Sequence, residues 1–378
     1  MTEMPQFEMI TDSAGLRRLA AELSREPLLA CDLEADSLHH YREQVCLLQF
    51  STPFANYLLD PLAVRDLAPL APVFADPAIR KVFHGADYDV RSLHRDYGFE
   101  IVNLFDTMIA CQFLGEKEWG LAAALKKRFG VTLDKQFQTA DWSRRPLSTE
   151  MQNYAVLDTA HLLSFYGQVA DELAAKGRLS WVEDECRLLS RVRVNERGDA
   201  PLFLRCKGAS RLSHRGLAVL EELLQQRERE AERRDRPPFK IMGSEHLVAI
   251  AGALPLDRDA LLAVPGLPEK LLDRNGGWLL SAVHDGLACS EEMLPVFPSV
   301  PRQQRTARQD RCLKKLKEWR LELAGRLAVD PGVLIANAQL ESLAMAGPRS
   351  LAEDMDGGLK GWQRQLFGDE LTRILRSA

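Results

Sequence analysis

Seven identities recur along the C-terminal part of this chain at one constant offset of 93 residues, without a gap: Leu220 with Leu313, Leu223 with Leu316, Arg227 with Arg320, Pro238 with Pro331, Leu247 with Leu340, Ala251 with Ala344 and Ala253 with Ala346. A register held over that distance calls for two copies of one structural unit. Beyond about residue 205 the strand pattern disappears and helical periodicity with short loops continues to the end. Two all-α units are therefore expected, 209–290 and 302–378, joined by the Pro-containing segment SEEMLPVFPSVPRQQ. Neither has the composition of a disordered tail.

The first 205 residues read differently. Apolar runs bounded by turn residues predict strands at 28–34, 44–51, 56–60, 80–84 and 100–105. Helical patterns fall at 13–24, 64–74, 86–97, 107–114, 120–129 and 149–172. Three strands in succession before the first helical return imply antiparallel pairing, so a mixed α/β sheet is expected rather than a purely parallel one. At 378 residues the chain is too long for one comfortable core, in keeping with three domains, 1–205, 209–290 and 302–378.

Composition removes several classes. The seven cysteines are odd in number, widely spaced and without a CxxC pair, which argues against a disulfide framework or a structural zinc site and for buried thiols in a reducing cytoplasm. The start MTEMPQFEMITDSAG lacks the basic and apolar regions of a signal peptide, and no run approaches 18 apolar residues. No membrane association is expected. The net charge of -5 excludes an indiscriminate polycation, although Arg302 to Arg320 carries eight basic residues against Asp310 and Glu318.

Five oxygen-bearing side chains carry the chemistry. Asp32 and Glu34 in LLACDLEAD are two apart, which on a strand places both carboxylates on one face. Tyr154 and Asp158 in NYAVLDTAHLL are four apart, one turn along a helix face. Asp89 in KVFHGADYDV opens a helix after a strand; Asp87 competes for its role and otherwise reads as an N-cap. Four carboxylates can neutralise two divalent cations, and an all-oxygen set favours Mg²⁺ or Mn²⁺ over zinc. Such a pair of cations suits phosphodiester hydrolysis, with the Tyr154 phenol orienting the water. Asp36 reads as a turn residue, Asp106 as an N-cap, and Thr149 with Gln152 as a capping box. His39 and His40 show no partner and are expected on a surface loop, and QQREREAERRDR, 225–236, on a solvated helix flank.

At CDLEAD, at KVFHGADYDVRSLHRDYG with FDTMIACQFLG, and at ADWSRRPLSTEMQNYAVLDTAHLL, the chain resembles the ribonuclease D family, DEDD-type 3′–5′ exonucleases with tyrosine in the third motif. KGASRLSHRGLAVLEELLQQREREAERRDRPPF is similar to the start of an HRDC domain, and 302–378 looks like a second, more divergent copy. The resemblance implies a ribonuclease H-like fold, divalent-metal dependence and removal of nucleotides from RNA 3′ ends, transfer RNA precursors in particular. It selects Asp89 over Asp87, because the family's aspartate lies five residues after the histidine, here His84.

The expected enzyme is a 3′–5′ exoribonuclease in which Asp32, Glu34, Asp89 and Asp158 hold two cations and Tyr154 assists. Expected substrate contacts are His84, Lys127, Trp142 and Arg144, with Lys126, Arg128, Arg145 and the Arg302 to Arg320 stretch as further phosphate ligands. Trp142 either stacks on a base or packs between helices. No obligate protein partner is evident. The rival readings are a DNA-directed exonuclease of the same chemistry and an RNA-binding scaffold on an inactive nuclease fold.

Overall fold

The computed structural model describes residues 4–134, 136–194, 198, 200–298, 305–347 and 358–377. Six strands form one sheet: β1 (Glu8–Ile10), β2 (Leu28–Ala35), β3 (Val45–Ser51), β4 (Asn56–Leu59), β5 (Arg80–Phe83) and β6 (Leu104–Asp106), in the order β1-β4-β3-β2-β5-β6. β2, β3 and β4 pair antiparallel, while β1 with β4, β2 with β5 and β5 with β6 are parallel. The expected mixed sheet is thus present. Three-residue β1 lay below the length at which a run signals a strand, and β6 begins late because Asn103 takes a left-handed φ of 56°.

The helices of this part are α1 (Ser13–Leu23), α2 (Ala71–Ala75), α3 (Asp87–Tyr97), α4 (Thr107–Leu114), α5 (Leu121–Phe129), α6 (Thr149–Ala160), α7 (Leu162–Ala175) and α8 (Leu179–Leu189). The helix expected over 64–74 is reduced to a short 3₁₀ turn and α2, since Pro69 and Pro72 can donate no backbone bond. The helix expected over 149–172 divides at His161, whose φ and ψ of -103° and -5° end α6. Its N-cap is Ser148, accepting from Met151 N at 3.2 Å, and not Thr149.

The tail consists of α9 (His214–Arg233), α10 (Pro238–Ile241), α11 (Ser244–Ala253), α12 (Arg258–Leu262), α13 (Glu269–Ala288), α14 (Ala307–Leu327), α15 (Pro331–Leu334), α16 (Asn337–Ala346) and α17 (Gly361–Ser377). Shifted by the repeat offset, α10 and α11 fall on α15 and α16 residue for residue. The repeated Leu220, Leu223 and Leu247 are buried, as are Leu313, Leu316 and Leu340. Each copy is therefore built on the same apolar stripe.

Compactness does not follow chain order. One unit contains Met1–Ala35, Val45–Val194 and Gln303–Ala378; the other contains Asp36–Gln44 and Asn195–Arg302. In the first unit the second helical copy shares the core of the α/β fold. Trp362 packs on Phe113 and Trp181, with ring centroids 5.2 and 5.5 Å away. Its indole N–H donates to Glu185 Oε1 at 2.7 Å, and Lys360 Nζ donates to the same carboxylate at 2.6 Å. Arg178 donates to the carbonyls of Phe113 and Leu327, both at 2.7 Å. Gly115, at φ 82°, has no room for a side chain, because a Cβ there would lie 1.9 Å from Ala328 O.

In the second unit the nine residues that link β2 to β3 are fastened to α9 and to Asp235 just after it. Asp36 closes the segment by accepting from Gln44 N at 2.8 Å, which is the turn role expected of it. His40 Nδ1 lies 2.7 Å from Asp235 Oδ2, the Tyr41 hydroxyl donates to Glu228 at 3.2 Å, and Arg42 donates to Glu232 at 2.7 Å. This corrects two expectations. His40 has a partner 195 residues away, and the acidic positions of 225–236 are a docking face, which alternating charge alone cannot distinguish from a solvated one.

Candidate active site

β2 outruns its parallel neighbour. Pairing with β5 involves only Leu28, Leu29 and Ala30, while pairing with β3 continues from Ala30 opposite Ser51 to Glu34 opposite Leu47, with a bulge between Glu34 and Ala35. The end of β2 therefore has an open edge toward β5, and alternation carries Asp32 and Glu34 to one face there. Both side chains are half-buried.

Asp89 enters from that edge. It lies in the first turn of α3 and is 7% exposed. Its Oδ1 is buried without a hydrogen-bond partner. Asp106 secures the loop that delivers it. That carboxylate accepts from Gly85 N and Ala86 N, each at 2.9 Å, while also capping α4 through Met108 N at 2.8 Å. Asp106 thus does more than the N-cap expected of it. Asp87 does less: the N-cap of α3 is Ala86, and Asp87 is an exposed first-turn residue bonded to Arg91 Nε at 2.7 Å.

The remaining pair comes from α6, which crosses the same face of the sheet. Ala155 and Val156 pack with Leu47 and Leu58, and the Thr159 and Ser51 hydroxyls are 2.7 Å apart. That footing turns Tyr154 and Asp158 toward the end of β2. The Tyr154 ring is wedged between Phe137, at 5.7 Å, and Trp142, at 6.0 Å.

The electrostatics show that these residues share one field. Burial first, then the charges of Asp32, Asp158 and Asp89, push the Glu34 carboxyl well above its ordinary range. Burial and the Asp32 charge do the same to Asp89 and Asp158. Asp32 itself is pushed up to about 7 by burial. Tyr154 is raised by burial and by Asp158, Glu34 and Asp32, so the phenol keeps its proton. Among the described residues no three His, Cys, Asp or Glu side chains stand close enough together to hold a metal ion as they are placed. The donor chemistry nevertheless fits hard divalent cations: four carboxylates, oxygen only, with an unpaired buried oxygen on Asp89.

The expected substrate contacts divide. His84 closes β5; its Nδ1 lies 2.9 Å from the Thr107 hydroxyl, which donates to Phe83 O at 3.0 Å, so the ring nitrogen is the donor to Thr107. Arg144 is largely exposed and bonds Asp141 at 3.1 Å; Lys127 lies 3.3 Å from Glu116. Trp142 takes the packing alternative: it is 1% exposed, bonds Phe137 O at 3.2 Å, and contacts Tyr154 instead of solvent. Arg145 is likewise committed internally, donating to both oxygens of Asp60, at 2.6 and 2.8 Å, and to Cys46 O. Arg128 is held by Glu116 and Glu172. In the basic stretch Arg302 lies outside the described residues, and Arg320 bonds Ile335 O.

One residue of this face was missed from sequence. Gln49 is the single polar side chain in the run CLLQF, is fully buried, and stands opposite Asp32 on β3. Its presence in an otherwise apolar strand was the available signal.

Residues 7–174 match a family of 3′–5′ exonucleases, and residues 216–283 and 309–375 each match the HRDC domain. A ribonuclease D of Gluconacetobacter diazotrophicus is 30% identical, with 97% of this chain and 92% of that protein aligned. The crystal structure of Escherichia coli RNase D, described as an exoribonuclease involved in structured RNA processing, is 27% identical with a TM-score of 0.75 over 98% of this chain and 99% of that one. The catalytic core of RRP6 from Trypanosoma brucei is 35% identical with a TM-score of 0.65, over 76% of this chain and 83% of that one. Both helical copies and the α/β fold lie within the two ribonuclease D alignments, so the chain belongs to the ribonuclease D family and is a metal-dependent 3′–5′ exoribonuclease.

Proposed function

We propose that this enzyme removes nucleotides singly from the 3′ ends of transfer RNA precursors in the cytoplasm. Asp32, Glu34, Asp89 and Asp158 hold two divalent cations, Mg²⁺ or Mn²⁺, and Tyr154 positions the attacking water. The charge of Asp32, which on top of burial raises Glu34, Asp89 and Asp158 together, carries this assignment, since carboxyls that lie in one field in a cleft are suited to share cations. Bound cations of this type lower the pKa of water and neutralise charge developing on a phosphodiester. The protein's own contribution is positional. β2 and α3 present three carboxylates from a buttressed loop, and α6 presents the fourth with the phenol. Tyr154 stays protonated, so it orients water by hydrogen bonding and does not act as a base.

His84, Lys127 and Arg144 remain proposed RNA contacts, and Trp142 serves the site through Tyr154. The two HRDC segments, within 209–290 and 302–378, are proposed to hold structured RNA. The deciding experiment offers 5′-labelled, 3′-tailed transfer RNA and matched single-stranded DNA, with Mg²⁺, Mn²⁺ or EDTA. A metal-dependent ladder of single-nucleotide losses on the RNA and little on DNA is expected. Preference for DNA would overturn the substrate assignment, and binding without shortening would favour the inactive scaffold.

A further inference from the structure

Gln49 is out of place for a core strand. It is fully buried on β3, and neither its Oε1 nor its Nε2 has a hydrogen-bond partner. Burying an unpaired carboxamide costs roughly 1–3 kcal/mol, and the neighbouring strand residues Leu47, Leu48 and Phe50 are apolar. A methionine or leucine would fill the position without that cost. The amide is therefore a candidate for service to something nearby.

Its surroundings identify what that is. Gln49 is registered opposite Asp32, and residues directly opposite in an antiparallel pair share a face, with Cβ atoms about 4.5–5.5 Å apart. On that face Ser51, two residues along β3, meets Thr159, while Leu47, two residues the other way, packs with Ala155 and Val156. Gln49 lies between those two contacts, beneath the turn of α6 that carries Asp158. It is bracketed by one carboxylate on β2 and one on α6.

Resting on the ligand assignment proposed above, we infer that Gln49 is a positioning residue: its carboxamide N–H groups, unpaired here, engage the Asp32 and Asp158 carboxylates when divalent cations draw these together, and so fix the orientation that binds the cations. The choice of an amide follows from charge. A lysine or arginine there would neutralise the site and compete with the cations, and a glutamate would add a fifth negative charge. A neutral donor fixes a carboxylate oxygen and leaves the other free to coordinate.

The test uses the full chain freed of metal with EDTA and then dialysed, with Mn²⁺ binding followed by calorimetry and melting followed without metal. Gln49→Met, close in volume and apolar, is expected to bind Mn²⁺ about 10–100-fold more weakly while melting no lower than the parent. Parent-like Mn²⁺ affinity would overturn the proposal, as would a loss of affinity matched by a lower metal-free melting temperature, which marks a structural role. Gln49→Asn retains the polarity and withdraws the amide by one methylene; it must also weaken Mn²⁺ binding, and parent-like affinity there overturns the proposal even if Gln49→Met does not fold. Asp158→Asn is the control. If it binds Mn²⁺ as the parent does, the ligand assignment itself fails and takes the Gln49 inference with it, whereas a normal Gln49→Met beside a defective Asp158→Asn removes only the inference.

Discussion

Arg227 and Arg320, at equivalent positions of the two helical repeats, make equivalent hydrogen bonds: Arg227 to Met242 O at 3.2 Å and Ser244 Oγ at 3.0 Å, Arg320 to Ile335 O and Asn337 Oδ1, both at 2.8 Å. Each guanidinium spans the junction between the short helix and the one that follows, satisfying a carbonyl at the end of the first. The equivalence extends to the backbone, where Asp235 and Ala328 share a left-handed φ of 46° and 52°. A repeat visible as seven identities thus keeps its internal clamp in two different surroundings, one copy in each compact unit.

Replacing either arginine with alanine strands a buried carbonyl and is expected to cost about 1–3 kcal/mol. Lysine should rescue little, because one ammonium cannot reproduce the forked geometry. Chemical denaturation of the two single variants checks this, and equal stability of parent and Arg320→Ala would refute the clamp.

Asp89→Asn is expected to reduce cleavage by on the order of 10²–10³-fold or more, the scale on which a preorganised polar group contributes. RNA binding should be largely retained, since the residue is 7% exposed and its loss leaves the surface unchanged. Retained turnover in single-turnover assays would sink its assignment as a ligand.

The raised carboxyls predict an unusual pH dependence for the metal-free chain. Asp32, Glu34, Asp89 and Asp158 all have folded-state values above their unfolded ones, so in this window the folded chain binds more protons and stability falls as pH rises. With Asp32 near 7, moving from pH 8 to pH 7 should stabilise the metal-free protein by about 1.4 kcal/mol for each carboxyl that is protonated in the folded state and ionised in the unfolded one across that unit. The melting temperature should therefore rise on mild acidification. The depressed Asp60, where Arg145 outweighs burial, loses its contribution only below the ordinary carboxylate range and does not oppose the trend; Lys81, pushed down to about 8 by burial, opposes it weakly, and His84 and His161, which burial holds below the ordinary imidazole value, oppose it once pH falls into the imidazole range, so the rise belongs to the step from pH 8 to pH 7. Saturating Mn²⁺ should reverse the slope, because cations bind the ionised carboxylates. A metal-free melting temperature that falls between pH 8 and pH 7 would contradict the shared field.

Tyr154→Phe removes the hydroxyl and keeps the ring between Phe137 and Trp142. It should lower kcat by roughly 10²-fold with KM for RNA and Mn²⁺ affinity little changed. Trp142→Ala should lower kcat as well, by freeing the Tyr154 ring, and should also destabilise the fold by about 3–5 kcal/mol. Full activity in Trp142→Ala would mean that the packing does not position the phenol.

Much of the site was legible because its spacing is local. Asp32 with Glu34 follows from strand alternation, and Tyr154 with Asp158 from one helical turn. Gln49 was not, since a lone glutamine in an apolar strand acquires its meaning only from what lies across the sheet. The same holds for the capping errors: Ser148 and Ala86 are the N-caps where Thr149 and Asp87 were expected, and a shift of one residue leaves the apolar pattern intact.

The amino-acid sequence alone determined most element types, the mixed sheet, the pairing of Asp32 with Glu34 and of Tyr154 with Asp158, and the duplication of the helical tail, all of which depend on periodicity and on spacings within a few turns or one strand. Only the tertiary structure decided where those elements belong: the second repeat in the core of the nuclease fold through Trp362 and Glu185, the β2–β3 connection on α9 through His40 and Asp235, and Trp142 behind Tyr154. Those choices rest on burial and charge pairing between residues far apart in the chain. An exposed acidic face and one that docks a neighbour have the same local pattern, and only the partner brought to it makes the difference.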